Sequence, residues 1–228
     1  MHHTKLIDLS VRVKRATWRL NDQQHNSIVN DQFAANRLHA LERDDYTCRG
    51  CNFMSLPTKT GSSFQEVHHL DDNHKNNDVN NLATLCPLCH QVFHIGAAGM
   101  TSGGTIVWLP EMTQAELNHL ARSLFIAIYS NSEFSGSARA LYASIESRAM
   151  YVEDVFAAGA SDPAFFGQAF LDCDPNKIEP AVTRGLRLLA APGRFKEAID
   201  HWSAQSYAGV PPSSWSGLVI PASQFAEV

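Results

Sequence analysis

Apolar residues recur at helical spacing through the second half of the chain and alternate in short pieces of the first. Leu117, Leu120, Leu124 and Ile128 return every three or four positions behind Thr113 and Glu116, which are spaced as a capping box. Leu141, Ile145, Val152 and Phe156 predict a second long helix ending at Gly159. Asp162-Pro163 and Asp174-Pro175 each offer an N-cap followed by proline at the first helical position. The run RGLRLLAAPGRF (184–195) reads as helical, and a final helix is predicted over 194–205. In the first half, Leu9, Val11 and Val13 alternate with polar residues and predict a strand. Asn30 or Asp31 caps a short helix carrying Phe33, Leu38 and Leu41, closed at Asp44-Asp45. Residues 64–70, 82–85 and 105–109 read as strands, and a helix begins near Pro87. Residues 55–63 and 71–81 are loop chemistry, the second too rich in Asn and Asp for a buried element. Residues 206–228 are rich in Ser, Pro and Gly yet hold Trp215, Leu218, Val219, Ile220 and Phe225, as expected of a tail that is disordered or docked on a partner.

Composition narrows the class. Of 228 residues, 44% are hydrophobic and 18% charged, an ordinary globular balance. No apolar run has the length of a membrane span, so no membrane insertion is expected, and MHHTKLIDLSVRVK lacks the apolar stretch of a secretory signal. The expected compartment is the cytoplasm, where thiols stay reduced. The formal net charge is -5, and between residues 42 and 94 seven acids face Arg43, Arg49, Lys59 and Lys75. That balance disfavours a protein held to nucleic acid chiefly through phosphates.

The cysteines change the picture most. CRGC (48–51) and CPLC (86–89) stand 34 residues apart (52–85). Two such turns bring four thiolates, Cys48, Cys51, Cys86 and Cys89, onto one tetrahedral Zn²⁺ with no open position, a structural rather than a catalytic ion. Cys173 stands alone and reads as an ordinary semi-buried thiol.

Around the two turns lie His68-His69, Asn81, His90 and His94. This order resembles the HNH ββα-metal nucleases. By position His69 is the general base on a water and Asn81 its orienter. His68, His90 and His94 are ligands of Mg²⁺ or another divalent ion. Each histidine taken singly reads more simply as a packed structural residue. The fold expected is α+β: an HNH-like ββα zinc module over 1–110, a helical part over 111–205 and the tail.

A wider resemblance is carried by TWRL (17–20), DDYTCRGC (44–51), NNLATLCPLC (80–89), GGTIVWLPEMTQAEL (103–117), SDPAFFGQ (161–168) and RGLRLLAAPGRF. These stretches resemble the IcmJ/DotN family of type IVB secretion systems. The resemblance implies a zinc-containing, HNH-like accessory subunit without nuclease activity. Such a subunit binds the C-terminal extension of the coupling ATPase, beside small acidic secretion chaperones, at a cytoplasmic platform on the inner membrane. The chain departs from that family in keeping the full histidine set. An active HNH endonuclease acting on DNA is therefore the alternative, with an adaptor the first expectation.

Overall fold

The computed structural model describes residues 6–12, 31–59, 61–173 and 183–218. Helix α1 (Asp31–Arg43) lies against a hairpin of β1 (Glu66–His69) and β2 (Leu82–Leu85). The strands are antiparallel, with Glu66 opposite Leu85 and His69 opposite Leu82. Short helices α2 (Pro87–His90) and α3 (Ile95–Met100) follow, giving a ββα order. Then come β3 (Gly104–Trp108), α4 (Gln114–Tyr129), α5 (Ser135–Glu146), α6 (Ala149–Val155), α7 (Pro163–Asp172), β4 (Leu186–Ala190) and α8 (Lys196–Ala204). The mixed α+β class is as the sequence predicts.

Local chemistry explains several element ends. Thr113 and Glu116 close a full capping box on α4, and the Asp162 carboxylate accepts from the amides of Ala164 and Phe165 at the start of α7. Asp45 and Tyr46 at the end of α1 adopt left-handed backbone. At Gly99 any Cβ would stand 2.2 Å from the amide nitrogen of Ala164, so glycine lets α3 and α7 touch.

Several expectations need correction. Residues 9–12 form no strand. Their segment lies along the cysteine module through single bonds, Ile7 N–H to Arg49 O and Arg12 N–H to Val92 O, without a ladder. Cys173, at the end of α7, is exposed rather than half-buried. Leu38 points to solvent, and α1 instead buries Ala40 and Leu41 against Val67 and Leu82. The helix expected through Leu141 to Phe156 breaks between α5 and α6. There the carbonyl of Arg148 turns to accept from Trp108 N–H on β3, and the Arg148 guanidinium pairs with Glu111. The largest departure is 186–190, which is strand β4 rather than helix, antiparallel to β3 with Gly104 opposite Ala190 and Trp108 opposite Leu186. Residues 192–195 form a 3-10 turn before α8. Asn30, Val13, TWRL and Asp174-Pro175 lie outside the described residues. Of the tail, Tyr207 and Trp215 pack onto the chain's own core, while 219–228 lie outside the described residues.

One apolar core draws on both sides of residue 110. It joins the four cysteines, Phe53, Leu85, Leu88 and Phe93 to Leu117, Phe125, Leu189, Ile199 and Trp202. At the edge of the ββα unit, Arg43 donates to both oxygens of Asp44 through Nε and Nη2, each at 2.9 Å, and also reaches the carbonyls of Val79 and Leu82. The amide of Thr84 on β2 donates to Asp44 Oδ2 at 3.0 Å. Burial alone would raise the Asp44 pKa. The Arg43 and Thr84 hydrogen bonds outweigh it and hold the carboxyl below its ordinary value. A lowered native pKa gives stability that is fully present above the unfolded value of about 4 and is lost as pH falls through the lower native value. Asp44→Asn should therefore cost about 2 kcal/mol near neutrality and flatten the acid limb of the stability profile. Urea melts from pH 7 down to pH 2 check this, and a mutant that parallels wild type throughout would refute it.

Candidate metal centres

The first CxxC turn is set by backbone geometry. Cys48 N–H donates to Phe53 O, Asn52 N–H to Cys48 O, and Asn52 takes φ 60°. At Gly50 a Cβ would sit 2.9 Å from the end of the Leu9 side chain, so the N-terminal segment packs closely over the turn. The second turn is the start of α2, with Cys86 at the N-cap and Pro87 at the first helical position. The four sulfurs lie within 4.8 Å of one another and all four cysteines are buried. Hydrogen bonds among the thiols, those from Cys48 and Cys86 foremost, pull the Cys51 pKa down, while burial pushes Cys86 and Cys89 far up. Four thiolates can stand together in so dry a place only around a cation. The donor set thus fits a four-coordinate thiophilic ion such as zinc.

Helix α4 adds residues that the sequence reading passed over. Gln114, Asn118 and Arg122 are polar, four apart and buried on its inner face. Gln114 holds β4 through both ends of its amide, donating to Leu188 O and accepting from Leu188 N–H, each at 2.9 Å. Arg122 is wholly buried beside the sulfurs. Burial opposes its charge, but Cys86 and Cys51 raise its pKa above the ordinary value, so it stays a cation. His119 lies 2.6 Å from Cys51 O. The signal was available in the sequence: three polar residues at i, i+4 and i+8 on a helix face that otherwise buries Leu117, Ala121 and Phe125.

Three histidines gather from β1, the end of α2 and the turn after it. His68, His90 and His94 can each bring a ring nitrogen within 4.8 Å of the others, a second arrangement able to hold a metal. The helix expected to carry both His90 and His94 is broken. A 3-10 turn over Gln91–Phe93 follows α2, and His94 leaves helical backbone at φ -129°. The rings of His90 and His94 are nevertheless 4.9 Å apart. Glu66 holds His90 Nδ1 at 2.5 Å, a carboxylate–histidine pairing common around metals in which Nε2 would be the ligand. His68 stacks on Phe93.

His69 and Asn81 stand at neighbouring rungs of the hairpin, His69 opposite Leu82 and Leu70 N–H donating to Asn81 O, and their side chains hold the loop between them. His69 Nε2 lies 2.9 Å from Asn77 Oδ1, and its ring stacks with Phe33 and His74. Asn81 reaches Asp71 and the carbonyl of Asn76. It belongs to a chain of Asn and Asp side chains that bond amides two residues on and give residues 71–81 their shape. Asp71, bonded first by Asn76, has its pKa lowered to about 2. Glu66, His74 and Asn77 were not singled out from sequence, because single polar residues in a strand and an Asn-rich loop carry no spacing signal. Beside the histidines opens a cleft of roughly 350 Å³ reached by Arg37, Arg194 and Phe33.

No helix among the described residues is long and apolar enough to cross a membrane. No family model matches the chain. Over 203 residues, 87% of this chain and 91% of the relative, it is 34% identical to the type 4 apparatus protein DotN of Legionella pneumophila.

Proposed function

Since the chain belongs to the IcmJ/DotN family of type IV apparatus proteins, we propose that it is a zinc-stabilised adaptor in the coupling-protein complex of a type IVB secretion system. It binds the C-terminal region of the coupling ATPase, works beside secretion chaperones in recruiting substrates, and is held at the inner membrane through that partner. The observation that carries the reading is the reach of the likeness, which spans the helical half as well as the cysteine module. A nuclease needs only the latter. Met150, Tyr151 and Val155 on α6 and Phe165 on α7 leave apolar side chains exposed, as a surface for a partner segment requires. Zinc is the ion that four buried cysteines in two CxxC turns suit best.

The test is thermal. A partner that binds the folded state alone raises its stability by about 2.7 kcal/mol at one hundred times Kd. Saturating coupling-ATPase tail should therefore raise Tm by several degrees. Unchanged melting with every cognate tail segment would overturn the adaptor reading.

The convergence of His68, His90 and His94 supports a second reading, an HNH endonuclease with a divalent ion at those rings and His69 as base. Against it stand the His69–Asn77 bond, the engagement of Asn81 with Asp71 and the acidic loop beside them. Plasmid incubated with Mg²⁺, Mn²⁺ or Ni²⁺ should stay supercoiled. Nicking that disappears in His69→Ala would put the enzyme first.

A further inference from the structure

We propose that helix α4 supplies the outer hydrogen-bonding layer of the four-cysteine metal centre, with the buried guanidinium of Arg122 as its counter-charge. The inference rests on the zinc reading above and extends it from the ligands to the residues that hold them.

Each of the four sulfurs has an N–H group directed at it. Gly50 N–H reaches Cys48 Sγ at 3.3 Å. Asn118 Nδ2 reaches Cys89 Sγ at 3.2 Å. Arg122 Nη2 reaches Cys86 Sγ at 3.3 Å and Cys51 Sγ at 3.8 Å. Three of the four sulfurs are thus served from α4. A thiol is a weak acceptor with a proton of its own to place, whereas a thiolate accepts readily, so three donor nitrogens reaching all four sulfurs describe four thiolates.

Charge gives the same answer independently. A divalent ion with four thiolates is a buried dianion, and a buried charge must be paired. Arg122 is wholly buried, and no carboxylate among the described residues forms an ion pair with it. Its Cζ lies 3.7 Å from the centroid of Phe53 and 5.3 Å from that of Trp202, so the guanidinium packs against both members of one aromatic pair. Phe53 comes from the first cysteine turn and Trp202 from α8. The metal's hold therefore extends through Arg122 to the helical half, with Arg122 and Asn118 as positioning residues and not ligands.

The experiment uses the full chain, with metal content of the purified wild type measured first. Arg122→Met keeps length against the two rings but removes donors and charge, and Asn118→Leu removes the Cys89 bond alone. Outer hydrogen-bond partners of metal ligands are commonly worth 10- to 100-fold in affinity. Arg122→Met should therefore yield its zinc to a chromophoric chelator at about ten-fold lower chelator concentration or less, and Asn118→Leu at severalfold lower. With Co²⁺ in place of zinc, loss of N–H donors raises the sulfur lone pairs, so the sulfur-to-cobalt charge-transfer band should move to lower energy. A packing role alone leaves that band in place. Wild-type zinc retention with an unmoved band in Arg122→Met overturns the proposal. If that variant does not fold, the same two readouts in Asn118→Leu decide it. A wild type that carries no metal would remove the zinc reading and this assignment together, whereas a metal-bearing wild type with indifferent variants removes the assignment alone.

Discussion

Cys86→Ser is expected to abolish stoichiometric zinc and to unfold the cysteine module at ambient temperature. Free energy of metal binding at a structural zinc site is also folding free energy, about 10–16 kcal/mol in small zinc peptides, and whole domains are stable by only about 5–15 kcal/mol. Cys86 is at the centre of the arrangement. Its backbone carbonyl accepts from the amides of Cys89 and His90, its sulfur lies 3.8 Å from that of Cys51, and Arg122 donates to it. Serine leaves three thiolates' worth of repulsion and a stranded cation in one dry place. Because the same core contains Leu117, Phe125 and Trp202, the loss should be visible in the near-ultraviolet signal of the whole protein. Elemental analysis and circular dichroism check it. A Cys86→Ser protein that melts like wild type would show that no metal supports this fold.

Trp202→Ala should cost about 3–5 kcal/mol, the usual range for deleting a fully buried large aromatic side chain. At the size of this protein that lowers Tm on the order of 10 °C. The indole is wholly buried and meets Phe53 edge-on, with centroids 5.6 Å apart. It also covers Arg122, so its removal opens a cavity beside a buried charge. Trp202→Phe should be much milder. It keeps a ring there and removes an indole N–H that has no hydrogen-bond partner among the described residues. Thermal melts of the two variants separate these effects. An alanine variant within about 1 kcal/mol of wild type would mean that this part of the core tolerates a void.

What could be read from the sequence was whatever is specified locally. Two CxxC turns, a capping box at Thr113 and Glu116, and Asp162 before Pro163 each fix geometry within a few residues, and the structure places them as expected. Strand β4 was not legible, because Leu186, Arg187, Leu188, Leu189 and Ala190 are all good helix formers and none is β-branched. Pairing with β3 and the two bonds from Gln114 override that preference. The opposite error arose at residues 9–12, where alternation suggested a strand but no neighbouring edge supplies a ladder. At the candidate sites the ligand-type residues stood out by spacing. Their supporters, Glu66, Asn77, Asn118 and Arg122, are long-range contacts that spacing does not encode.

The pairing of β3 with β4 has a consequence for synthesis on the ribosome. Both cysteine turns and the β1–β2 hairpin have emerged once residue 89 is clear of the exit tunnel, and they can take up metal and close at that stage. Strand β3 follows almost at once, but its partner is made only after all of α4 to α7. Throughout that interval the nascent chain carries an unpaired edge containing Ile106 and Val107, both fully buried when folding is complete. An edge of this kind is where two unfinished copies join. Aggregation during expression should therefore be governed by how quickly the stretch through residue 190 is translated, more than by the stability of the finished protein.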